Sequence, residues 1–133
     1  MQEDARISFA ELARKVGLSG PAVADRLKRL EALDVIVGYC AKVNPIHLGY
    51  FVEAWVRIKI TVDRPIDIGN LTKIRHIRSL YKLAGEDDWL ANVVAESNES
   101  LGQVLAAINR YGTTSTSIVL SRELEMRGIE PTK

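Results

Sequence analysis

Over the first third of the chain, apolar residues recur at helical spacing. Phe9, Leu12, Ala13 and Val16 form one stripe; Val23, Leu27 and Leu30 form a second. Gly17, Leu18 and Ser19 lie between them. Gly17 suits the left-handed position that ends a helix, and Ser19 can cap the next helix. Pro21 fits that helix's first turn, where the amides have no intrahelical acceptor. The spacing predicts two short helices around a tight turn. Residues 35–37, Gly38 and residues 39–43 then predict a short strand pair shaped like a wing, with Asn44-Pro45 as the following turn.

From Tyr50 the period changes to two. Val52, Ala54, Val56, Ile58, Ile60 and Val62 alternate with Phe51, Glu53, Trp55, Arg57, Lys59 and Thr61. This predicts a long strand with one wholly apolar face. Phe51 and Trp55 on its second face call for cover by another layer or another subunit. Residues 63–65 break the strand, and residues 66–76 read as a helix with Leu71 and Ile74 inward. Strands follow at 79–84 and 89–96, joined by the turn Gly85-Glu86-Asp87-Asp88. Ser97 or Asn98 caps a helix with the stripe Leu101, Val104, Leu105 and Ile108, and residues 114–124 form the last strand. The order β-α-β-β-α-β is the ferredoxin-like arrangement, in which two helices cover one face of a four-stranded antiparallel sheet. The predicted fold class is therefore α+β. An incomplete winged helix-turn-helix domain over 1–45 precedes a ferredoxin-like domain over 46–133.

Composition narrows the function. A hydrophobic fraction of 47% in 133 residues supports a folded core. No apolar run is long enough for a membrane span, and no basic-then-apolar leader precedes the first helix, so a cytoplasmic protein is expected. Cys40 is the single cysteine, which fits a reducing compartment; it reads as a buried or half-buried strand residue. Net charge is only +1, with seven Lys/Arg against six Asp/Glu in residues 1–49 and eleven of each in 50–133. Nucleic-acid affinity draws heavily on neutralised phosphates. Any such affinity here must come from local placement and from several copies acting together.

The second helix offers that placement. Opposite Val23, Leu27 and Leu30 it carries Ala22, Asp25, Arg26 and Arg29, with Lys28 beside them, so small residues come at its start and basic ones further on. Small side chains let a backbone approach base edges in a major groove, and Arg can pair bidentately with guanine. The same pattern also suits a plain helical hairpin with a solvated basic face. Asp25 opposes DNA unless it accepts from a cytosine amine. The chain has no nucleophile elbow, phosphate loop or metal-spaced histidine pair, and His47 and His76 lie apart. No catalytic residue, metal ligand or cofactor is assigned.

The strings RISFAELARKVGLS, RLKRLEALDVIVGY, Asn44-Pro45 with Leu48-Gly49, LAGEDDWL and TSTSIVLSRELEMRGIEP follow one another in an order that resembles the Lrp/AsnC, or feast/famine, transcription regulators of bacteria and archaea. The resemblance covers essentially the whole chain. It implies a homo-oligomeric, sequence-specific regulator of double-stranded DNA, tuned by a small amino acid. Base reading falls to the helix over 19–33, with Ser19, Gly20, Pro21, Ala22, Arg26, Lys28 and Arg29 at the DNA. The effector pocket falls to Gly85, Glu86, Asp87 and Asp88 with Thr114 and Thr116. Chemistry permits this: carboxylates accept from an ammonium, while hairpin amides and threonine hydroxyls donate to a carboxylate. A charged hairpin tip facing water is the plain alternative. A divalent cation is disfavoured because adjacent turn side chains rarely converge on one ion.

Asp87 replaces an aromatic common in the family, which predicts an acidic rim favouring basic or neutral effectors over acidic ones. Only MQEDAR precedes Ile7, where the family has a further helix. A start assigned too far downstream, a truncated chain or a degraded DNA domain would each account for this. The last would leave an effector-binding protein acting through mixed assemblies. A third reading comes from tetrapyrrole decarboxylases that resemble the family; it would need a cleft histidine such as His76, which otherwise suits a helix end.

Overall fold

The computed structural model describes residues 1–61, 68–124 and 126–132. The expected strand residue Val62, the break at 63–65 and the helix start at 66–67 lie outside the described residues. The chain forms two compact units, Met1–Lys42 with Glu123–Lys133, and Val43–Arg122.

In the first unit, α1 (Phe9–Val16) and α2 (Gly20–Ala32) are the two helices predicted from the apolar stripes. The Ser8 hydroxyl accepts from the Glu11 amide at 3.2 Å. Gly17 ends α1 at φ 67°, and the Leu18 amide donates to the Ala13 carbonyl. That left-handed conformation strains a residue with a Cβ, so glycine stands here. Ser19 caps α2, accepting from the Ala22 amide. Ala13, Val23 and Leu27 form the buried centre, with Met1, Leu12, Leu18 and Ile36 packed around it. Phe9, Val16 and Leu30, expected to face inward, are exposed, because only two helices share this small core. The strand pair expected over 35–43 is not formed: these residues carry no strand, and Val37 is 90% exposed. Cys40 is exposed rather than buried. The Gln2 side-chain amide donates to the Ile129 carbonyl and accepts from its N–H, both at 2.8 Å, tying the C-terminal segment into this unit.

The second unit opens with a 3-10 turn at Pro45–Leu48 and then holds β1 (Val52–Ile60), α3 (Ile68–Thr72), β2 (Ile77–Lys82), β3 (Trp89–Ala95), α4 (Asn98–Ile108) and β4 (Gly112–Ile118). The sheet is antiparallel in the order β2-β3-β1-β4, as the ferredoxin-like arrangement requires. Ala54, Val56 and Ile58 of β1 lie fully buried with Ala91 and Val93 of β3, Leu71 of α3, and Leu101, Val104 and Ile108 of α4. Full burial of an aliphatic side chain of this size is worth about 1.5–3 kcal/mol, so this cluster dominates the unit's stability. Ser97 caps α4, accepting from the Ser100 amide at 3.1 Å.

Three elements differ from the expected bounds. α3 stops at Thr72 instead of 76, so His76 does not end a helix. β2 begins at Ile77 and carries an irregularity between Ile77 and Ser79. β4 begins two residues earlier than expected and ends at Ile118, opposite Ala54 of β1.

Gly112 opens β4 against Ile60, and a Cβ there would lie 2.1 Å from the Lys59 carbonyl oxygen. Gly112→Ala is expected to cost about 1–3 kcal/mol or more through forced displacement of the strand, read as a lowered thermal midpoint.

Candidate DNA-reading helix and ligand-site hairpin

Burial of Val23 and Leu27 fixes the rotation of α2. Pro21, Ala22, Arg26 and Arg29 are exposed, and Gly20 is half-buried. The helix thus presents small residues in its first turn and guanidinium groups one and two turns later. Asp25 is exposed on the same helix. The Ser19 hydroxyl is engaged as the cap, which holds the first turn in place. Lys28 diverges from this set. Two residues from Arg26, it lies on another side of the helix. It lines a groove of about 360 Å³ together with Met1, Ile7, Phe9, Leu27 and Tyr39. Tyr39 also donates to Glu31 of α2 at 2.9 Å, which pushes its phenol pKa upward.

The hairpin between β2 and β3 meets the start of β4 across the end of β1. Asp88 donates its amide to the Ile58 carbonyl at 3.0 Å and accepts from the Ile60 amide through Oδ2 at 2.8 Å. Its carboxylate therefore works first as a clasp on β1. Asp87 Oδ2 lies 3.9 Å from Arg57 Nε, and Arg57 Nη2 donates to the Ser115 hydroxyl at 3.0 Å. Gly85 and Glu86 are exposed at the tip. Thr114 and Thr116 pair with Ile58 and Val56, on the helix-covered side of the sheet, and the Thr114 hydroxyl donates to Asn109 at 2.7 Å. Ser115 pairs with Arg57 on the opposite side. Strand alternation thus separates the two threonines from the Asp87–Arg57 pair.

Two polar clusters escaped the sequence reading. Glu53 lies on the open side of β1, where it accepts from the buried Asn92 at 2.9 Å and pairs with Arg122. Burial raises its pKa, but hydrogen bonds from Arg122 and Asn92 and the charges of Arg122 and Arg78 outweigh that, and the net direction is downward. The available signal was a carboxylate on a strand face that also carries Phe51 and Trp55. The second cluster surrounds Glu96, which accepts from Ser100 Oγ at 2.6 Å, pairs with Arg75 at 3.1 Å and meets His76 Nε2 at 3.2 Å. His76 is therefore a partner of Glu96, with Tyr50 edge-on to its ring. Among the described residues, no group of three or more His, Cys, Asp and Glu side chains is placed to hold a metal ion. No described helix is long and apolar enough to cross a membrane.

A helix-turn-helix unit joined to a ferredoxin-like unit defines a class of ligand-responsive transcription regulators, and comparison with known proteins gives the family. The AsnC-type helix-turn-helix domain matches residues 1–31, and the Lrp/AsnC ligand binding domain matches residues 54–129. The chain belongs to the Lrp/AsnC family of transcription regulators. It is 32% identical over 130 residues to a proline dehydrogenase transcriptional activator of Rhodobacter capsulatus, covering 92% of this chain and 84% of that protein. It is 34% identical over 122 residues to the regulator LrpA of Mycobacterium tuberculosis, covering 89% and 81%. A feast or famine regulatory protein from M. tuberculosis, solved complexed with L-methionine, superposes with a TM-score of 0.90 at 32% identity, over 98% of this chain and 91% of that one.

The Glu96 cluster makes stability pH-dependent. The Ser100 hydroxyl and the residue's own amide, with His76, hold the Glu96 carboxyl at about 2, against an ordinary 4.5. A depressed folded-state pKa contributes stability above the unfolded value, and that contribution is lost as pH falls from about 4.5 towards 2. The thermal midpoint is expected to fall across this window, and Glu96→Gln should flatten that part of the profile.

Proposed function

We propose that this protein is an oligomeric, sequence-specific DNA-binding transcription regulator that reads the major groove with α2 and responds to a small amino acid. Residues 1–45 serve DNA and residues 46–133 serve ligand binding and assembly. The carrying observation is the orientation of α2: with Val23 and Leu27 buried, Ala22, Arg26 and Arg29 are left available to base edges and phosphates. Gly20 and Pro21 allow close approach, Ser19 holds the first turn, and Lys28 contributes charge from the helix flank. The family and the L-methionine complex of the M. tuberculosis relative support an amino-acid effector. Gly85, Glu86, Asp87 and Asp88 with Thr114 and Thr116 are the candidate contacts. The regulator acts in the cytoplasm, where it meets DNA.

Near-neutral net charge makes a single copy a weak DNA binder, and the open side of the sheet supplies a means of assembly. Phe51, Trp55 and Tyr81 are exposed there, 68%, 38% and 53%, beside the buried Val94. An apolar sheet face of this kind is covered by a second copy, whose two-fold symmetry suits a palindromic operator. Trp55→Asp should shift the protein to a smaller species in sedimentation velocity and weaken DNA binding with it.

DNA reading is tested by fluorescence anisotropy on DNA from upstream of the protein's own gene, at two salt concentrations. Binding should exceed that to random DNA and weaken steeply with salt. Arg26→Ala and Arg29→Ala should each cost about 1–3 kcal/mol where the arginine reads a base, or lower the salt slope by about 1 where it meets a phosphate. A folded, oligomeric protein that binds operator and random DNA equally would refute the reading.

A further inference from the structure

We propose that the outer edge of β4 is a second self-association surface, which pairs antiparallel with β4 of another copy; this rests on the oligomeric reading above and adds a contact distinct from the open face. Among the described residues the sheet has two edges, β2 and β4. They are built differently. Residues 73–82, running into and along β2, carry Lys73, Arg75, Arg78 and Lys82, all exposed, with no carboxylate within the stretch. The β2 pairing also breaks register between Ile77 and Ser79. Charge and irregularity keep an edge from pairing with another chain. A second copy of β2 would bring like charges together.

β4 has none of these guards. Gly112–Ile118 reads GTTSTSI, without a charge or a proline, and its register against β1 is unbroken. Thr116 is exposed even though it lies on the helix-covered side, so the helices leave this edge open. The Val119 amide donates to the Glu53 carbonyl at 2.8 Å. Counting back by twos, Thr113, Ser115 and Ser117 bond β1 through their backbone groups. Gly112, Thr114, Thr116 and Ile118 therefore turn their N–H and C=O groups outward. Such a row of outward groups is a template for one more strand.

The occupant follows from self-complementarity. Full overlap of two antiparallel copies places Ser115 on the two-fold axis, opposite its own mate. Position 114 then meets 116, and 112 meets 118, of the second copy. Hydroxyl side chains facing one another across strands are favourable pairs, and no like charges are opposed. The axis stands perpendicular to the sheet, so the open faces of both copies stay on one side. They remain available for the contact through Trp55. Two different contacts per copy supply the several copies that a near-neutral chain needs to hold DNA.

The test is disulfide trapping in the full chain. In Cys40→Ser/Ser115→Cys the two introduced thiols occupy a non-hydrogen-bonded pair, whose Cα atoms lie about 4.5 Å apart, within disulfide reach. Mild oxidation should convert most of the protein to a covalent dimer. In Cys40→Ser/Ser117→Cys the two mates lie about 14 Å apart along the paired strands, and little covalent dimer should form. Thr116→Pro removes an outward N–H and spares the β1 ladder, so it should halve the mass seen in sedimentation velocity. Trp55→Asp/Thr116→Pro should be monomeric. A folded, oligomeric protein that gives no covalent dimer at position 115 would overturn the edge contact and leave the face contact standing. Equal trapping at 117 would overturn it too. So would a disulfide, with Cys40 retained, from position 115 to Cys40 of another chain, which would put residues 35–43 on this edge. A monomeric wild-type protein would end both the oligomeric reading and the proposal.

Discussion

Strand β1 is hydrogen-bonded along both edges, to β3 and to β4, and its residues Ala54, Val56 and Ile58 have no solvent exposure. The other parts of the second unit are positioned from it. α4 packs on its inner residues through Leu101, Val104 and Ile108. The β2–β3 hairpin closes on its end through Asp88, and β4 starts beside it only because Gly112 lacks a side chain. Strand alternation then requires that whatever β1 does not bury against the helices it presents on the other side. Arg57, Trp55 and Glu53 are there for that geometric reason, and the surface proposed for assembly is built from that face.

The first unit follows the same logic on a smaller scale. Two helices of 8 and 13 residues bury little area. Caps at Ser8, Gly17 and Ser19 therefore matter more to it than they would in a larger domain; a serine cap is typically worth about 1 kcal/mol. The buried pair Val23 and Leu27 sets the rotation of α2, and with it the direction of the arginines. A stability device and the proposed recognition device are thus the same helix viewed from opposite sides.

Polar clusters on the sheet are used in two ways. The Glu96 cluster joins the β2 entry, the end of β3 and the first turn of α4 through one carboxylate, which ties acid stability to a structural junction. The Glu53–Arg122–Asn92 cluster lies on the open face, where a charged group beside Trp55 and Val94 gives polar direction to an otherwise apolar surface. In the proposed assembly, breaking this charge pair would leave an unpaired charge further buried, so such a cluster would favour one register of contact over others.

Periodicity alone determined most of the fold. The helical stripes over residues 9–30, the strict alternation from Val52 to Ile60 and the stripe of α4 each identify an element, because burying one face imposes that element's own repeat on the sequence. Capping at Ser19, Gly17 and Ser97 was legible as well, since those residue types satisfy local backbone groups. The sequence did not determine the ends of α3 and β4, the unpaired state of residues 35–43, or the exposure of Phe9 and Leu30. Each depends on which neighbours supply cover, and that is a non-local matter. Residues proposed for DNA were visible as a helix face. The Arg57–Asp87 pair was not: its members lie 30 positions apart, and only the antiparallel register brings a strand arginine, a hairpin aspartate and a serine of the last strand to one place.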